Sequence, residues 1–461
     1  MKPQLSSFEP SPLDRESRLV SIDLFRGIAV LGILLINIVG FGLATGGNFG
    51  NQIFSDTSSA NFFSYAVVYI LFEGKMRALF CMLFGAGILL FSINKENTDP
   101  KRVAMLFYLR MSWLVLFGLI NAHLLLWVGD ILFFYGLFGM LVFLLRKMKP
   151  RYMVMAVPVV TIIWFVVGTF FYRDAREKRI AFSMAEQAQK AGQPLTALQK
   201  QAMVNWRTIE KSMLPNETDA QATAERMRGS YQVVASEIRP KAFKAETSYL
   251  LVELGDNIAL MLLGMALLAW GFFTGKWTNR QYRLTMAIGY IVAVPVTLYE
   301  LWYAAEFTSS ASAIFLKLEQ TPVPWKNLLY PVQRIFMVMA HCSALMLLVK
   351  SGYLMAICNR LKAVGQMALT NYIVQTILCS LFFFGYGLGY YDRLELYQLY
   401  YVVAAIWVLQ LIYSPLWLKY FKFGPLEWLW RSLTYRRIKL NFPRWLIGKL
   451  SLVRSVSKFF L

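Results

Sequence analysis

The sequence predicts an all-α membrane protein, a polytopic bundle of transmembrane helices. Of its 461 residues, 57% are hydrophobic and 16% are charged, and the mean hydropathy is +0.48. Soluble globular domains are about one-quarter charged. Apolar runs of about 20 residues recur along the chain, and each is long enough to cross the ~30 Å hydrocarbon core of a bilayer. The runs are continuous instead of alternating, which is typical of helices and not of a transmembrane β-barrel.

Ten apolar segments are predicted to span the membrane, near 22–44, 61–91, 103–126, 130–147, 151–172, 247–273, 282–303, 331–350, 366–388 and 396–418. Short loops rich in Lys and Arg alternate with loops that contain neither residue, such as 45–60. Positively charged loops stay in the cytoplasm, so this asymmetry predicts that both termini are cytoplasmic.

The spans divide the chain into four regions. Residues 1–172 and 247–418 are predicted to be two membrane halves of five spans each, separated by a polar insertion at 173–246 and followed by a basic tail at 419–461. The insertion holds thirteen Lys or Arg and nine Asp or Glu. The topology places it outside the cytoplasm, where we expect a small helical cap, with disorder as the alternative.

The formal net charge of +21 does not indicate a nucleic-acid partner, because much of it lies in the tail. Residues 418–461 carry ten basic residues and one acid, and the spacing of Leu446, Leu450 and Val453 is close to helical. This pattern predicts an interfacial helix that contacts anionic membrane lipids.

The four cysteines do not indicate a disulfide framework or a metal centre. They are Cys81, Cys342, Cys358 and Cys379, and they lie in or beside spans without CxxC spacing, as small buried apolar residues do. The sequence also lacks a P-loop, a dinucleotide fingerprint, an HExxH motif and a Cys/His cluster, so we predict no metal.

Ionisable groups inside the apolar segments are the candidate functional residues. Such groups are costly at membrane depth, so they face protein or water and mark functional paths. Asp23 and Arg26 lie three residues apart on one helical face at the mouth of the first span. The second segment is interrupted near its middle, either as one helix with buried charges or as two shorter helices joined by a charged turn. The further members of this set are Glu73, Lys75, Arg77, Arg110, Glu253, Asp256, Glu300 and Arg334.

His123 is the candidate general base. It lies at the predicted outer end of the third span, seven residues before Asp130. Histidine is the most frequent general base, and a nearby carboxylate can fix its tautomer. A tight turn over 123–130 would let Asp130 reach it; the alternative is a plain interfacial side chain. His341, in the middle of a span, is interpreted as a packed helix contact.

Several motifs give the chain a family resemblance. RLVSIDLFRGIAVLGILLINI, FEGKMRALFCMLFGAGILLF, GLINAHLLLWVGDIL and the pair GQMALTNYIVQTIL and FGPLEWLWRSLTY occur in that order. They resemble the bacterial YeiB family from about residue 18 to 436, apart from the insertion. That family is distantly similar to transmembrane acyltransferases, including heparan-α-glucosaminide N-acetyltransferase, which move an acyl group from cytoplasmic acyl-CoA to an acceptor across the membrane. The resemblance implies an acyltransferase-like bundle in the bacterial inner membrane, with His123 on the matching outer-facing motif.

As an acyltransferase, the chain would hold acyl-CoA, with acetyl-CoA as the expected donor, through basic residues that bind its phosphates. The candidates are Arg26, Lys75, Arg77 and Arg110. His123 would act as base or acyl carrier with Asp130 beside it. Asn121, Trp127 or a backbone N–H near the interrupted second segment would stabilise the oxyanion. The expected residues of the substrate cavity are Asp23, Glu73, Trp127, Glu253, Asp256, Glu300, Arg334 and Asn371.

Two other functions stay open at this point. In a secondary transporter of a small polar or anionic solute, Glu253, Asp256, Glu300 and His123 would be relay groups. In a scaffold or lipid-binding protein, the charges would be structural pairs. The acceptor, whether a small molecule or an envelope component, is not identified by the sequence, which also leaves a homodimer open.

Overall fold

The computed structural model describes residues 12–44, 53–93, 99–213, 217–308 and 310–435, and their regular structure is helical throughout. The helices of the first half are α1 (Pro12–Gly42), α2 (Ala60–Leu71), α3 (Lys75–Ile93), α4 (Pro100–His123), α5 (Leu132–Leu144) and α6 (Pro150–Lys190). The insertion contributes α7 (Ala197–Met213), α8 (Glu217–Met227) and α9 (Tyr231–Thr247). The second half contains α10 (Leu250–Ala269), α11 (Asn279–Phe307), α12 (Ala311–Gln320), α13 (Leu329–Ser351), α14 (Met355–Gln366), α15 (Ala368–Phe383), α16 (Leu396–Tyr420) and α17 (Pro425–Tyr435).

The long apolar helices indicate a multi-pass membrane protein, with fewer full spans than the sequence predicts. Among the described residues, eight helical segments are long and apolar enough to cross a membrane, or nine if the bent pair α14–α15 is one span. The predicted span at 130–147 is instead the 13-residue helix α5, which at 1.5 Å per residue extends only about 20 Å. The predicted span at 366–388 is one arm of the pair, which bends by 83°. The predicted tail helix lies outside the described residues.

The second apolar segment is two helices joined by a charged turn, the second of the two interpretations above. The turn at 72–74 separates α2 from α3 and carries Glu73. Gly74 has φ +68°, and a Cβ at this position would lie 2.2 Å from the hydroxyl oxygen of Tyr330. Only glycine fits both the backbone angle and the close neighbour.

The neighbouring motifs at residues 365–371 and 423–435 meet at the bend between α14 and α15. One carboxylate oxygen of Glu427 accepts hydrogen bonds from the backbone N–H groups of Leu369 (2.7 Å) and Thr370 (3.0 Å), and the other accepts from the Thr370 hydroxyl (2.6 Å). These N–H groups have no partner within α15, whose N-terminus also favours negative charge. Glu427 therefore anchors α17 to the start of α15.

Helices α3 and α10 pack closely in the core, because glycines on each helix face the backbone of the other. A Cβ on Gly85 of α3 would lie 2.1 Å from the carbonyl oxygen of Met261 in α10, and one on Gly264 would lie 1.8 Å from that of Met82. Small residues at helix crossings are typical of membrane bundles. The four cysteines are buried and free.

Residues 173–246 are largely helical where described, and they share a small core with α12. The helix α6 runs without interruption to Lys190, well past the predicted end of its span at 172. Trp206 and Phe182 of this region pack with Phe315 of α12, and Arg179 pairs with Glu319 at 2.6 Å. The sequence analysis did not assign 311–320 to the cap. We call the end of the bundle that carries α7–α9 and α12 the insertion end, and the end that carries α17 and the start of α1 the tail end.

Candidate functional site

The candidate site is a cavity of about 380 Å³ at the insertion end. Its walls come from α1, the turn at 72–74, α3, the loop before α5, α5, the junction of α9 and α10, and α13. Its volume is in the range of small-molecule sites. The polar lining residues are Asn37, Glu73, Arg77, Asp130, Tyr135, Tyr249, Glu253, Asn257 and Tyr330.

An ion-pair network forms one wall and connects four of the predicted charged residues. Arg77 contacts Glu253 at 2.6 Å and Asp256 at 3.2 Å. Asp256 also pairs with Arg334, whose Nη1 lies 3.0 Å from Oδ2. Asn257 donates to Glu253 at 3.2 Å. Because each cation has a carboxylate partner, the charges of the network, including that of the buried Arg334, are compensated.

Glu73 is a cavity carboxylate with a hydrogen-bond partner for only one of its two oxygens in the described structure. Its Oε1 accepts a hydrogen bond from the Tyr330 hydroxyl at 3.3 Å. Its Oε2 is buried and has no hydrogen-bond partner within the described parts of the chain. A buried carboxylate oxygen without a donor is costly, so Glu73 is the lining residue with the most evident need for a ligand.

Asp130 also lines the cavity and lies two residues before the start of α5. Its Oδ1 accepts from the side chain of Asn121 and its Oδ2 accepts from the backbone N–H of Phe133, both at 2.8 Å. The side chain is only 5% exposed. Burial raises the pKa of Asp130 to about 6, although both hydrogen bonds act in the opposite direction.

The expected contact between His123 and Asp130 is not formed. Nε2 of His123 lies 2.9 Å from a carboxylate oxygen of Glu246, at the end of α9. Arg239 of the same helix donates to the carbonyl oxygen of His123 at 3.0 Å. Asp130 is held instead by Asn121 and by the start of α5. Neither His123 nor Glu246 lines the cavity, although Ala245, which precedes Glu246 in the chain, does.

A separate group of arginines lies at the tail end. The Arg110 guanidinium stacks on the ring of Trp430 at 3.9 Å, and the Trp430 indole N–H donates to the carbonyl oxygen of Arg110 at 2.8 Å. Arg431 follows Trp430 on α17. Arg26 pairs with Asp23 at 3.1 Å.

Arg26 and Arg110 contact one face of α3. Nη2 of Arg26 lies 3.5 Å from the position a Cβ would take on Gly87, and Arg110 lies 5.9 Å from the ring of Phe91. Residues four apart are neighbours on a helix surface, so the two guanidinium groups approach the same region. Burial lowers the pKa of Arg431, and the charge of Arg26 lowers it further. We call Arg26, Arg110 and Arg431 the arginine group.

Other predicted site residues lie elsewhere. Lys75 is fully buried and donates to the carbonyl oxygen of Tyr69 at 2.8 Å. Glu300 is buried in α11. Asn371 donates to the carbonyl oxygen of Val364 at 2.9 Å, below the α14–α15 bend. Trp127 stacks on Phe41 with ring centroids 3.9 Å apart. The four predicted phosphate ligands are therefore divided between two places, Arg26 and Arg110 at the tail end and Lys75 and Arg77 near the cavity.

Sequence analysis missed Glu246, Tyr330 and Arg431. Glu246 is 123 positions from His123, and nothing local to either residue predicts their contact. Arg431 lies in a quoted motif, FGPLEWLWRSLTY. Its mixture of aromatic and basic residues was the available signal.

The comparisons with known proteins agree with the motifs. A family model described as "Protein of unknown function (DUF418)" matches residues 267–437. The chain is 29% identical to the "Uncharacterized protein YeiB" of Escherichia coli K12 over 91% of this chain and 97% of that protein. It is 26% identical to the "Uncharacterized protein YxaH" of Bacillus subtilis 168 over 94% of this chain and 97% of that protein. No solved structure matches. These similarities support the resemblance to the YeiB family that the sequence motifs indicate.

Proposed function

We propose that the protein transfers an acyl group from cytoplasmic acyl-CoA, with acetyl-CoA as the expected donor, to an acceptor on the other side of the bacterial inner membrane. The observation that carries the proposal is that two polar sites, the arginine group and the cavity, lie at different heights along the same two helices, α1 and α3. The arginine group borders α1 and α3 at the tail end, and the cavity borders them towards the insertion end. Arg26 and Asn37 are separated by about 16 Å of helix, and Arg77 and Gly87 by about 15 Å.

The arginine group suits the phosphates of acyl-CoA. Guanidinium groups present paired N–H donors that match phosphate oxygens. Arg110 is held by Trp430, which leaves the edge of its guanidinium for a ligand. In this proposal Arg431 replaces Lys75 and Arg77 as a phosphate ligand, because those two residues bind groups of the protein itself.

Aromatic side chains separate the two sites. Phe84 of α3 lies between Arg77 and Phe91, and its ring centroid is 5.3 Å from that of Tyr135, a cavity residue. Such a layer would hinder the passage of water and ions, while an acyl thioester on a flexible arm could extend through it. The acyl carbon would then reach the cavity while the phosphates stay with the arginine group.

His123 is the proposed base or acyl carrier, oriented by Glu246 and not by Asp130. A carboxylate that accepts from one imidazole nitrogen leaves the other nitrogen to take a proton from an acceptor hydroxyl or amine. In this proposal the acceptor enters from the insertion end, past the His123–Glu246 pair, to which α9 contributes Glu246.

Binding of the donor is the first test. Full-length protein in lipid nanodiscs is titrated with acetyl-CoA by isothermal calorimetry, with dephospho-CoA thioester as a probe that lacks one phosphate. We expect Arg26→Ala and Arg431→Ala each to weaken acetyl-CoA binding about tenfold, the value of a charge-assisted hydrogen bond. Arg226→Ala, in an ion pair of the insertion, is the matched control. Equal affinity in all four proteins, or no binding at all, would overturn the proposal.

A transporter is the second candidate, and one observation favours it. Glu73 and Asp130 line a single cavity together with Glu253, and clustered carboxylates of this kind are typical of proton relays in transporters. Vesicle uptake of a solute driven by a pH gradient, without any acyl donor, would support this function.

A further inference from the structure

The side chains that line the cavity carry more negative than positive charge. Three carboxylates line it, those of Glu73, Asp130 and Glu253. Arg77 is the single Lys, Arg or His side chain among the described lining residues, and both of its terminal nitrogens contact carboxylates. An anionic ligand would therefore meet carboxylates and no available cation. The cavity electrostatically favours a positively charged ligand.

The hydrogen-bonding needs of the lining agree with this charge. Glu73 Oε2 is buried without a partner in the described structure, and an ionised carboxylate can only accept hydrogen bonds. The turn between α2 and α3 holds this residue in place, since its backbone N–H donates to the carbonyl oxygen of Val68 at 2.9 Å. The complementary ligand therefore carries a hydrogen-bond donor, and the charge of the cavity favours a cationic N–H donor over a neutral hydroxyl.

The aromatic side chains provide a third indication. Tyr135, Tyr249 and Tyr330 line the same cavity as Glu73, and the Tyr330 hydroxyl contacts it. Aromatic rings attract cations through their electron-rich faces, and this attraction adds to that of a carboxylate. Apolar side chains of α1, such as Ile33 and Ile36, provide room for a hydrocarbon body.

We propose that this cavity binds a small organic primary ammonium ion, with Glu73 as the carboxylate that accepts its hydrogen bond. The inference goes beyond the proposed function, because binding of the ammonium ion requires no acyl donor. If the chain is an acyltransferase, the ion is a candidate acceptor; if it is a transporter, the ion is a candidate cargo.

The test compares three probes of similar size and different charge. Cyclohexylamine, cyclohexanol and cyclohexanecarboxylate are titrated at neutral pH into full-length protein in nanodiscs, without acyl-CoA. A primary amine with a pKa near 10 is protonated at this pH. We expect the amine to bind at least about tenfold more tightly than the alcohol, and the carboxylate not to bind. Equal binding of amine and alcohol, or preferred binding of the carboxylate, would overturn the inference.

Variants assign the effect to Glu73. Glu73→Gln keeps the shape and removes the charge, so amine affinity should fall about tenfold or more while alcohol affinity stays unchanged. Glu186→Gln removes a carboxylate from an ion pair with Lys190, outside the cavity, and should change neither affinity. Unchanged amine binding in Glu73→Gln would remove Glu73 from the site. The wild-type comparison of probes decides the main point even if Glu73→Gln does not fold.

The result is independent of the donor experiment. Amine selectivity without acetyl-CoA binding would support this site and overturn the proposed function. Acetyl-CoA binding without amine selectivity would do the reverse.

Discussion

Nε2 of His123 lies 2.9 Å from Oε2 of Glu246, so the insertion contributes a carboxylate to the end of a membrane helix. The backbone supports this contact, because Arg239 and Tyr231 of α9 donate to the carbonyl oxygens of His123 and Leu124. The insertion is therefore attached to the bundle at His123, the residue proposed as the base.

We expect His123→Ala to abolish acyl transfer and to leave acetyl-CoA binding unchanged, since the arginine group lies at the other end of α1 and α3. General-base groups typically contribute about 10²–10⁴-fold to rate. Glu246→Gln should reduce the rate less, because it removes only the orienting charge. Labelled acetyl groups from acetyl-CoA, followed into the cell envelope, give the measurement. Full transfer by His123→Ala would disprove its role.

Glu427→Gln should lower both thermal stability and acetyl-CoA affinity. The variant replaces one accepting oxygen with an amide donor at the start of α15, where N–H groups and a hydroxyl already donate. The expected loss of stability is about 1–3 kcal/mol, and α17 with Arg431 should loosen. Melting and calorimetry measure the two effects, with Glu186→Gln as control. A stability loss without any change in affinity would show that α17 does not position the ligand.

The pKa of Asp130, which burial raises to about 6 from the ordinary value of 3.8, predicts a pH effect on stability. Between these values the folded state binds more protons than the unfolded state, so stability should fall as pH rises from about 4 to 6 and then level off. Asp130→Asn keeps an oxygen for the Phe133 N–H and should reduce this slope. Melting temperatures across a pH series measure it, and an unchanged slope in the variant would contradict the prediction.

Gly264→Ala should destabilise the bundle, because its Cβ would lie 1.8 Å from the backbone carbonyl oxygen of Met82. Overpacking against a backbone typically costs about 1–3 kcal/mol. Gly168→Ala is the matched control, since nothing lies within 4 Å of its added Cβ. Equal melting temperatures for the two variants would contradict the close approach of α3 and α10.

The predicted sidedness can be measured with single cysteines. Glu210→Cys in the insertion should react with an impermeant thiol reagent added to whole cells, and Tyr353→Cys, 74% exposed at the opposite end, should react only after lysis. Native cysteines give little background, since all four are buried. The reverse pattern would invert the proposed direction of acyl transfer.

The membrane class and most helices could be predicted from sequence, because apolar run length and local charge are properties of short segments. The charged break at Glu73 was one of two alternatives that the sequence left open. The charged residues around Asp256 could be predicted as members of one polar set, but the pairs that they form could not, because the residues come from α3, α10 and α13. The partner of His123 could not be predicted, because the choice between Asp130 and Glu246 depends on tertiary packing. The number of spans is lower than the ten predicted because α5 is short and the α14–α15 pair is bent. The mean hydropathy of a segment does not show either feature.

The core shared between the insertion and α12 limits how the chain can be shortened. Deleting 173–246 would leave Phe315 and Leu318 facing water and would remove Glu246 from His123. The excision would also cut α6 near its middle. An engineer seeking a smaller membrane protein would have to redesign the helix α12 as well, because it shares this core with the insertion.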